Sequence, residues 1–260
     1  MSAGSEVKQP QDKKSASQTP AFEYPGRELE AMAAAENYHR WIIGRFAPYL
    51  GQHLVEVGAG LGSFSELILE YHKCETLALV EPSADMYEQL RAKAKQLASE
   101  NTKVSTYQCS FTEAALQIKT TRQPDSIIYV NVLEHIEHDE LELQAIQETL
   151  TRNGRVFLFV PALSWLYGAF DVRVGHFRRY TKRGLEEKLQ RAGFKILLSS
   201  YFDSFGIAPW WVKYCLLKSE TMAPASVKFY DRFVVPTLSR VEGIVSPPLG
   251  KNVILIAEKA

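Results

Sequence analysis

The stretch Leu54-Val55-Glu56-Val57-Gly58-Ala59-Gly60-Leu61-Gly62-Ser63-Phe64 constrains this chain more than any other. A largely apolar strand pattern runs into three alternating glycines and then into a helical pattern. Glycine accepts the backbone angles of a sharp turn and carries no Cβ to hold a ligand away from the main chain. Downstream, Thr76-Leu77-Ala78-Leu79-Val80 reads as a second apolar strand that ends at Glu81. That carboxylate falls about 20 residues past the last glycine, where a ribose-binding acid is expected. The two signals together predict a nucleoside site at the carboxyl edge of a sheet.

Spacing within the loop separates two kinds of nucleoside ligand. In a dinucleotide fingerprint the third glycine follows two intervening residues, and the helix N-terminus then meets a pyrophosphate. Here Ser63 takes that place and the glycine falls one residue early. The Gly-x-Gly-x-Gly pattern, with acidic Glu56 in the preceding strand, resembles motif I of the class I S-adenosylmethionine-dependent methyltransferases, whose cofactor has no phosphates. The resemblance implies that Glu56, Gly58, Ala59, Gly60 and Gly62 form the cofactor loop, and that Glu81, followed by Pro82, takes the ribose hydroxyls. An ordinary glycine-rich turn would explain the loop alone but not Glu81.

The rest of the chain alternates strand and helix. Glu28 to Tyr49 is helical in pattern, with Leu29, Met32, Ala33, Trp41, Ile42 and Phe46 recurring at spacings near 3.6. Further strands are predicted over Val104–Cys109, Ser126–Asn131, Arg155–Val160, Phe194–Tyr201 and Asn252–Glu258, with helices between them. Such alternation predicts an α/β fold, a doubly wound and mostly parallel seven-stranded sheet with ligands at the carboxyl ends of its strands. The resemblance adds that the last strand inserts antiparallel. The expected organisation is a disordered tail over residues 1–26, rich in Ser, Gln and Lys, a methyltransferase domain over 27–201 and 251–260, and an inserted substrate-side segment over 202–250.

Candidate site residues gather after the fourth and fifth strands. Asn131, Val132 and Leu133 should face the cofactor, and the run Leu133-Glu134-His135-Ile136 resembles the matching segment of small-molecule methyltransferases, including those of quinone and lipid biosynthesis. His135 has the ordinary pKa of a base for a hydroxyl or amine; capping of the next helix explains Glu134 and His135 equally well. His135 and His138, flanked by Glu134 and Asp139, raise the thought of a metal, but a solvated acidic helix start accounts for them and no metal is expected. After the fifth strand, Gly175-His176-Phe177-Arg178-Arg179-Tyr180 resembles a Gly-His-x-Arg-Arg-Tyr loop of a bacterial subgroup of these enzymes. Arg178 or Arg179 is expected to grip a carboxylate or phosphate, with Tyr167 and Asp171 nearby and His176 and Tyr180 at the acceptor atom. An Arg179–Asp171 ion pair tying the loop to the domain is the structural alternative. Tyr38 is a candidate for the methionine end of the cofactor. Ser110 and Phe111, where relatives place an acid against adenine, are expected to offer a hydroxyl and a stacking ring.

Composition bounds the function. Thirty basic residues balance thirty acidic ones, so no global field favours nucleic acid. Hydrophobic residues make up 46% of the chain, enough for a full core. Cys74, Cys109 and Cys215 are isolated, which fits a reducing cytoplasm rather than a disulfide framework. The expected activity is methyl transfer from S-adenosylmethionine to a small-molecule acceptor bearing an anionic group. The alternatives are a lipid-linked acceptor met through peripheral membrane contact of the aromatic stretch Phe205–Leu217, a noncatalytic cofactor-binding subunit, and a nicotinamide-dependent oxidoreductase.

Overall fold

The structure is a computed structural model that describes residues 35–260. The predicted tail and the Glu28–Ala34 start of the first helix lie outside the described residues. The described chain begins with helix α1 (Glu36–Phe46) and a 3₁₀ turn over Ala47–Tyr49. Strands β1 (His53–Val57), β2 (Thr76–Val80) and β3 (Lys103–Tyr107) follow, joined by helices α2 (Ser63–Tyr71) and α3 (Ala84–Leu97). Helix α4 (Phe111–Thr121) leads to β4 (Ser126–Val130), and α5 (Asp139–Thr149) to β5 (Arg155–Pro161). A short helix α6 (Ala169–Arg173) and α7 (Lys182–Arg191) precede β6 (Phe194–Phe202). Strand β7 (Asn252–Lys259) closes the chain.

One seven-stranded sheet has the order β3-β2-β1-β4-β5-β7-β6, parallel throughout except for β7, which pairs antiparallel with both β5 and β6. Its central strands are buried on both faces, which is why they read as near-continuous apolar runs. Alternation still sorts the side chains: Val156, Leu158 and Val160 join one core, while Phe157 and Phe159 of the same strand join the other. The order reverses between β1 and β4, so a crevice opens outside their carboxyl ends.

The segment between β6 and β7 folds as short helices: α8 (Ile207–Trp210) running into a π-helical turn (Trp211–Leu216), α9 (Pro224–Phe229) running into another (Tyr230–Val234), and α10 (Val235–Ile244). Buried carboxylates pin it to the sheet. Glu242 accepts from the backbone N–H groups of Asp203 and Ser204 at 3.0 and 2.9 Å. Asp203 accepts from the Tyr38 and Tyr230 hydroxyls and pairs with Lys251 at 2.9 Å. Each carboxylate is thereby satisfied by several donors, the condition for a tolerable buried charge. Among the described residues no helix is long and apolar enough to cross a membrane.

Candidate active site

The glycine loop joins β1 to α2 with positive φ at Gly58, Gly60 and Gly62. A Cβ on Gly58 would come 2.4 Å from Val132 Cγ2, so glycine here lets the end of β4 press against the loop. A Cβ on Gly60 would meet nothing nearer than Met86 Sδ at 4.0 Å, leaving open space above the main chain. The Gly60 N–H donates to Glu81 Oε2 at 2.9 Å, and Ser83 N–H donates to Oε1 at 2.8 Å. These bonds hold the Glu81 carboxylate, 4% exposed, at the end of β2 against the glycine loop. Burial raises its pKa, and the two N–H groups oppose the rise. Glu56, in contrast, points behind the loop, where it accepts from the Ser65 hydroxyl of α2. Burial pushes its carboxyl up to about 8 against that hydrogen bond.

This cradle suits a nucleoside without phosphates. Gly60 N–H is held by Glu81 and Gly62 N–H by the Ala59 carbonyl at 2.9 Å, so the turn does not present the row of waiting donors that a pyrophosphate needs. What it presents is the Glu81 carboxylate on the loop, with Val132 packed against Gly58; Leu133, expected to face the cofactor, is instead fully buried in the core. Pro82 is exposed beside Glu81. Ser110 and Phe111 sit differently from the sequence expectation. The Ser110 hydroxyl donates to Glu113 Oε2 at 2.7 Å in a capping box that starts α4. The Phe111 ring, 1% exposed, turns into the core edge-on to Tyr129 and offers no face to a ligand.

Beside the crevice lies a cavity of about 260 Å³ over the ends of β4 and β5. Asn131 lines it and adopts φ 53°, the left-handed conformation that turns the chain sharply at the end of β4. Val132, the next residue, is the one that touches Gly58. The cavity floor and walls include Tyr38, Glu134, His135 and His176, and the insert closes it with Trp210, Lys213 and Tyr214. Tyr38, expected at the methionine end of the cofactor, donates its hydroxyl to Asp203 and Asn252 at 3.0 and 3.1 Å and lines this cavity.

The Gly-His-x-Arg-Arg-Tyr loop divides between the cavity and the interior. His176 reaches the cavity, with Nδ1 2.7 Å from Asp171 Oδ1. Asp171 is fully buried at the start of α6, where it also accepts from Gly168 N–H at 3.0 Å and from Arg179 Nε at 2.8 Å. Despite the cost of burial, His176 and Arg179 hold its pKa below the ordinary carboxylate value. Arg179 is the buried ion-pair partner that the structural alternative described, with its guanidinium 4.6 Å from the Trp210 ring centre. Arg178 points away from the cavity, donates to the carbonyls of Ile136 and Glu137 at 2.9 and 2.6 Å, and pairs with Asp139 at 3.1 Å. Tyr180 is buried and donates to Asp139 at 2.9 Å, and burial beside that acid raises its pKa, which removes it from the acceptor side. Tyr167 donates to the His176 carbonyl at 2.6 Å and braces the loop.

Two features were illegible in the sequence. Glu134, in a 3₁₀ turn over Leu133–His135, is fully buried at the cavity wall, and burial pushes its carboxyl up to about 7. Burial pushes the neighbouring His135 imidazole down to about 3. Lys213 is the other. It lines the cavity, takes part in no ion pair among the described residues, and has its pKa lowered by burial. No local signal marks it, because only the fold of the insert brings it over β4.

The comparisons with known proteins agree with this geometry. A family model described as a methyltransferase domain matches residues 22–199. No curated protein matches the chain. Among solved structures, a methyltransferase of Thermotoga maritima, described as a possible histamine N-methyltransferase, is 14% identical with a TM-score of 0.56 over 90% of this chain and 95% of its own. A putative methyltransferase of Haloferax volcanii, solved with the Trm112 activator, is 13% identical with a TM-score of 0.55 over 90% and 98%. The magnesium protoporphyrin IX methyltransferase of Synechocystis, with bound S-adenosylhomocysteine, is 12% identical with a TM-score of 0.53 over 90% and 86%.

Proposed function

This chain belongs to the methyltransferase-domain family of class I S-adenosylmethionine-dependent proteins, and we propose that it methylates a small acceptor carrying an anionic group. One observation carries the proposal: the end of β4 serves both sites, with Val132 against the glycine loop and Asn131 in the wall of the cavity. When bound, S-adenosylmethionine supplies an electrophilic methyl group on a sulfonium. Gly58, Gly60 and Gly62 allow its close approach, and Glu81 is placed to take the ribose hydroxyls. Asn131 then stands between donor and acceptor.

The protein contributes chiefly by aligning the two reactants and keeping water out. Trp210 and Tyr214 form an apolar wall for the acceptor, and Lys213 supplies the cation for its anionic group. Arg178 and Arg179 are committed to Asp139 and Asp171, so that assignment moves from the arginines to the lysine. The acceptor would rest against the inner wall, where His135 and His176 meet with ring centres 4.6 Å apart; burial pushes His135 down to about 3, which removes it as the base that the sequence suggested. The three free cysteines accord with a cytoplasmic setting.

A second reading, a lipid-linked acceptor taken from a membrane surface, draws on the outer face of the insert. Phe205, Leu217, Phe229, Phe233 and Ile244 are exposed on the same segment that roofs the cavity.

Thermal shift with S-adenosylhomocysteine tests the cofactor half of the proposal. The wild-type chain should melt several degrees higher at saturating ligand, and Glu81→Ala should abolish the shift. A shift with a nicotinamide dinucleotide and none with S-adenosylhomocysteine would sink the proposal. Binding of S-adenosylhomocysteine without turnover of any acceptor would instead mark a noncatalytic subunit.

A further inference from the structure

The inner wall of the cavity holds a cluster that the methyl-transfer reading leaves unexplained. Glu134 is fully buried, and neither carboxylate oxygen has a hydrogen-bond partner among the described residues. An unsatisfied buried carboxylate is costly and demands a partner. His176 approaches it, with Nε2 3.9 Å from Glu134 Oε1. Asp171 holds the other nitrogen of that ring, Nδ1, at 2.7 Å. A carboxylate on one imidazole nitrogen is the arrangement that aims the other nitrogen at a metal and raises its basicity. His135 supplies a second imidazole, and one ligand atom from each of Glu134, His135 and His176 lies within 4.8 Å of the others. With metal–ligand bonds of about 2.0–2.2 Å, shifts of roughly 1 Å or less would bring all three onto one ion.

We propose that Glu134, His135 and His176 bind a divalent first-row transition-metal cation, with zinc the best match, and that its open coordination position faces the acceptor cavity. Two imidazoles and one carboxylate are a borderline donor set, suited to zinc or cobalt rather than to magnesium or calcium. Three protein ligands leave a fourth position vacant, which is the pattern of catalytic rather than structural zinc. The cation satisfies the buried Glu134 and accounts for Asp171 as the group that orients His176. Resting on the methyltransferase reading, the acceptor's hydroxyl or amine would occupy the fourth position, where the cation makes its proton more acidic. The proton then leaves to water at the mouth of the cavity.

Metal content after dialysis against metal-free buffer, calorimetric titration with zinc, and the visible spectrum with cobalt(II) test the site without any acceptor. The expected result is one equivalent of zinc per chain and cobalt bands of a low-coordinate nitrogen and oxygen site. Glu134→Gln and His176→Gln should each weaken zinc at least 100-fold, Asp171→Asn about 10–100-fold, and His138→Ala, exposed and outside the cluster, should bind as wild type. Glu134→Gln keeps the shape of the side chain, so it decides the matter if His176→Gln does not fold. No saturable binding at one equivalent, or binding that survives Glu134→Gln, overturns the proposal. S-adenosylhomocysteine melting shifts on the same samples separate the two readings. A shift without zinc binding retires the metal site alone, and zinc binding without a shift upholds the metal site while removing its link to methyl transfer.

Discussion

At the scale of single residues, the two acids near the glycine loop have opposite duties although they lie close in sequence. Glu81 is held to the glycine loop by the N–H groups of Gly60 and Ser83, whereas Glu56 is turned to the Ser65 hydroxyl and braces β1 against α2. The raised pKa of Glu56 has a defined consequence for stability. In the unfolded chain Glu56 ionises near 4.5, and in the folded chain at about 8. Its contribution is therefore fully present below the unfolded value and is lost as pH rises through about 8. Glu56→Gln, which keeps the hydrogen bond but cannot ionise, should flatten that fall, so that its melting temperature gains on wild type from pH 5 to pH 9. Parallel melting curves across that range would refute the assignment. The position of Glu81 was legible because a short loop fixes the distance from glycine to carboxylate. The inward turn of Glu56 was not, since a strand residue's face depends on what packs against it.

At the scale of elements, the Gly-His-x-Arg-Arg-Tyr loop is a strap with one reactive face. Arg178 and Tyr180 converge on Asp139, and Arg178 also holds the carbonyls after the 3₁₀ turn of Glu134 and His135. The loop after β5 thereby locks the loop after β4, and only His176 and Arg179 face the cavity. Helix α1 shows a similar division of labour. Its first residue follows Ala35, which has no side chain to cap it, and Asp231 of the insert takes that part. Asp231 accepts from Asn37 N–H at 3.1 Å and Tyr38 N–H at 2.8 Å, satisfying helix-end donors and placing a negative charge at the positive end of the dipole. Asp231→Ala should cost about 1–2 kcal/mol of unfolding free energy in denaturant titrations, and it should loosen the insert, seen as faster amide exchange over residues 224–244. Unchanged stability would mean that α1 does not depend on the insert. The sequence places α1 well through its apolar spacing, yet its cap lies nearly 200 residues away (|i−j| of 194) and carries no local sign.

At the scale of the whole molecule, the insert joins the cavity over β4 and β5 to the outer surface. Its exposed residues include Phe229, Phe233 and Ile244 with Lys218, Lys228, Arg232 and Arg240, while Asp203, Asp231 and Glu242 are buried and Glu220 is exposed beside Arg173. Such a face suits an anionic bilayer surface. The chain should co-sediment with vesicles containing phosphatidylserine more than with neutral phosphatidylcholine vesicles, and replacing Phe229 and Phe233 by Ser should lower partitioning at least tenfold, given about 1.5–3 kcal/mol per buried aromatic side chain. Equal sedimentation of the double variant would remove the membrane reading and leave the small-molecule acceptor. The sequence by itself determined the alternating architecture, the glycine loop and the carboxylate at the end of β2. These are local patterns: strand period, helix period and turn chemistry act over a few residues and survive without knowledge of the rest. Only the tertiary structure decided which face each long-range group shows. Arg178 and Arg179 proved to be tied inside, Lys213 came over the cavity from the insert, and Glu134 met His176 across two loops. Pairing, burial and the resulting pKa shifts are properties of contacts between distant segments, and a pattern read along one segment does not contain them.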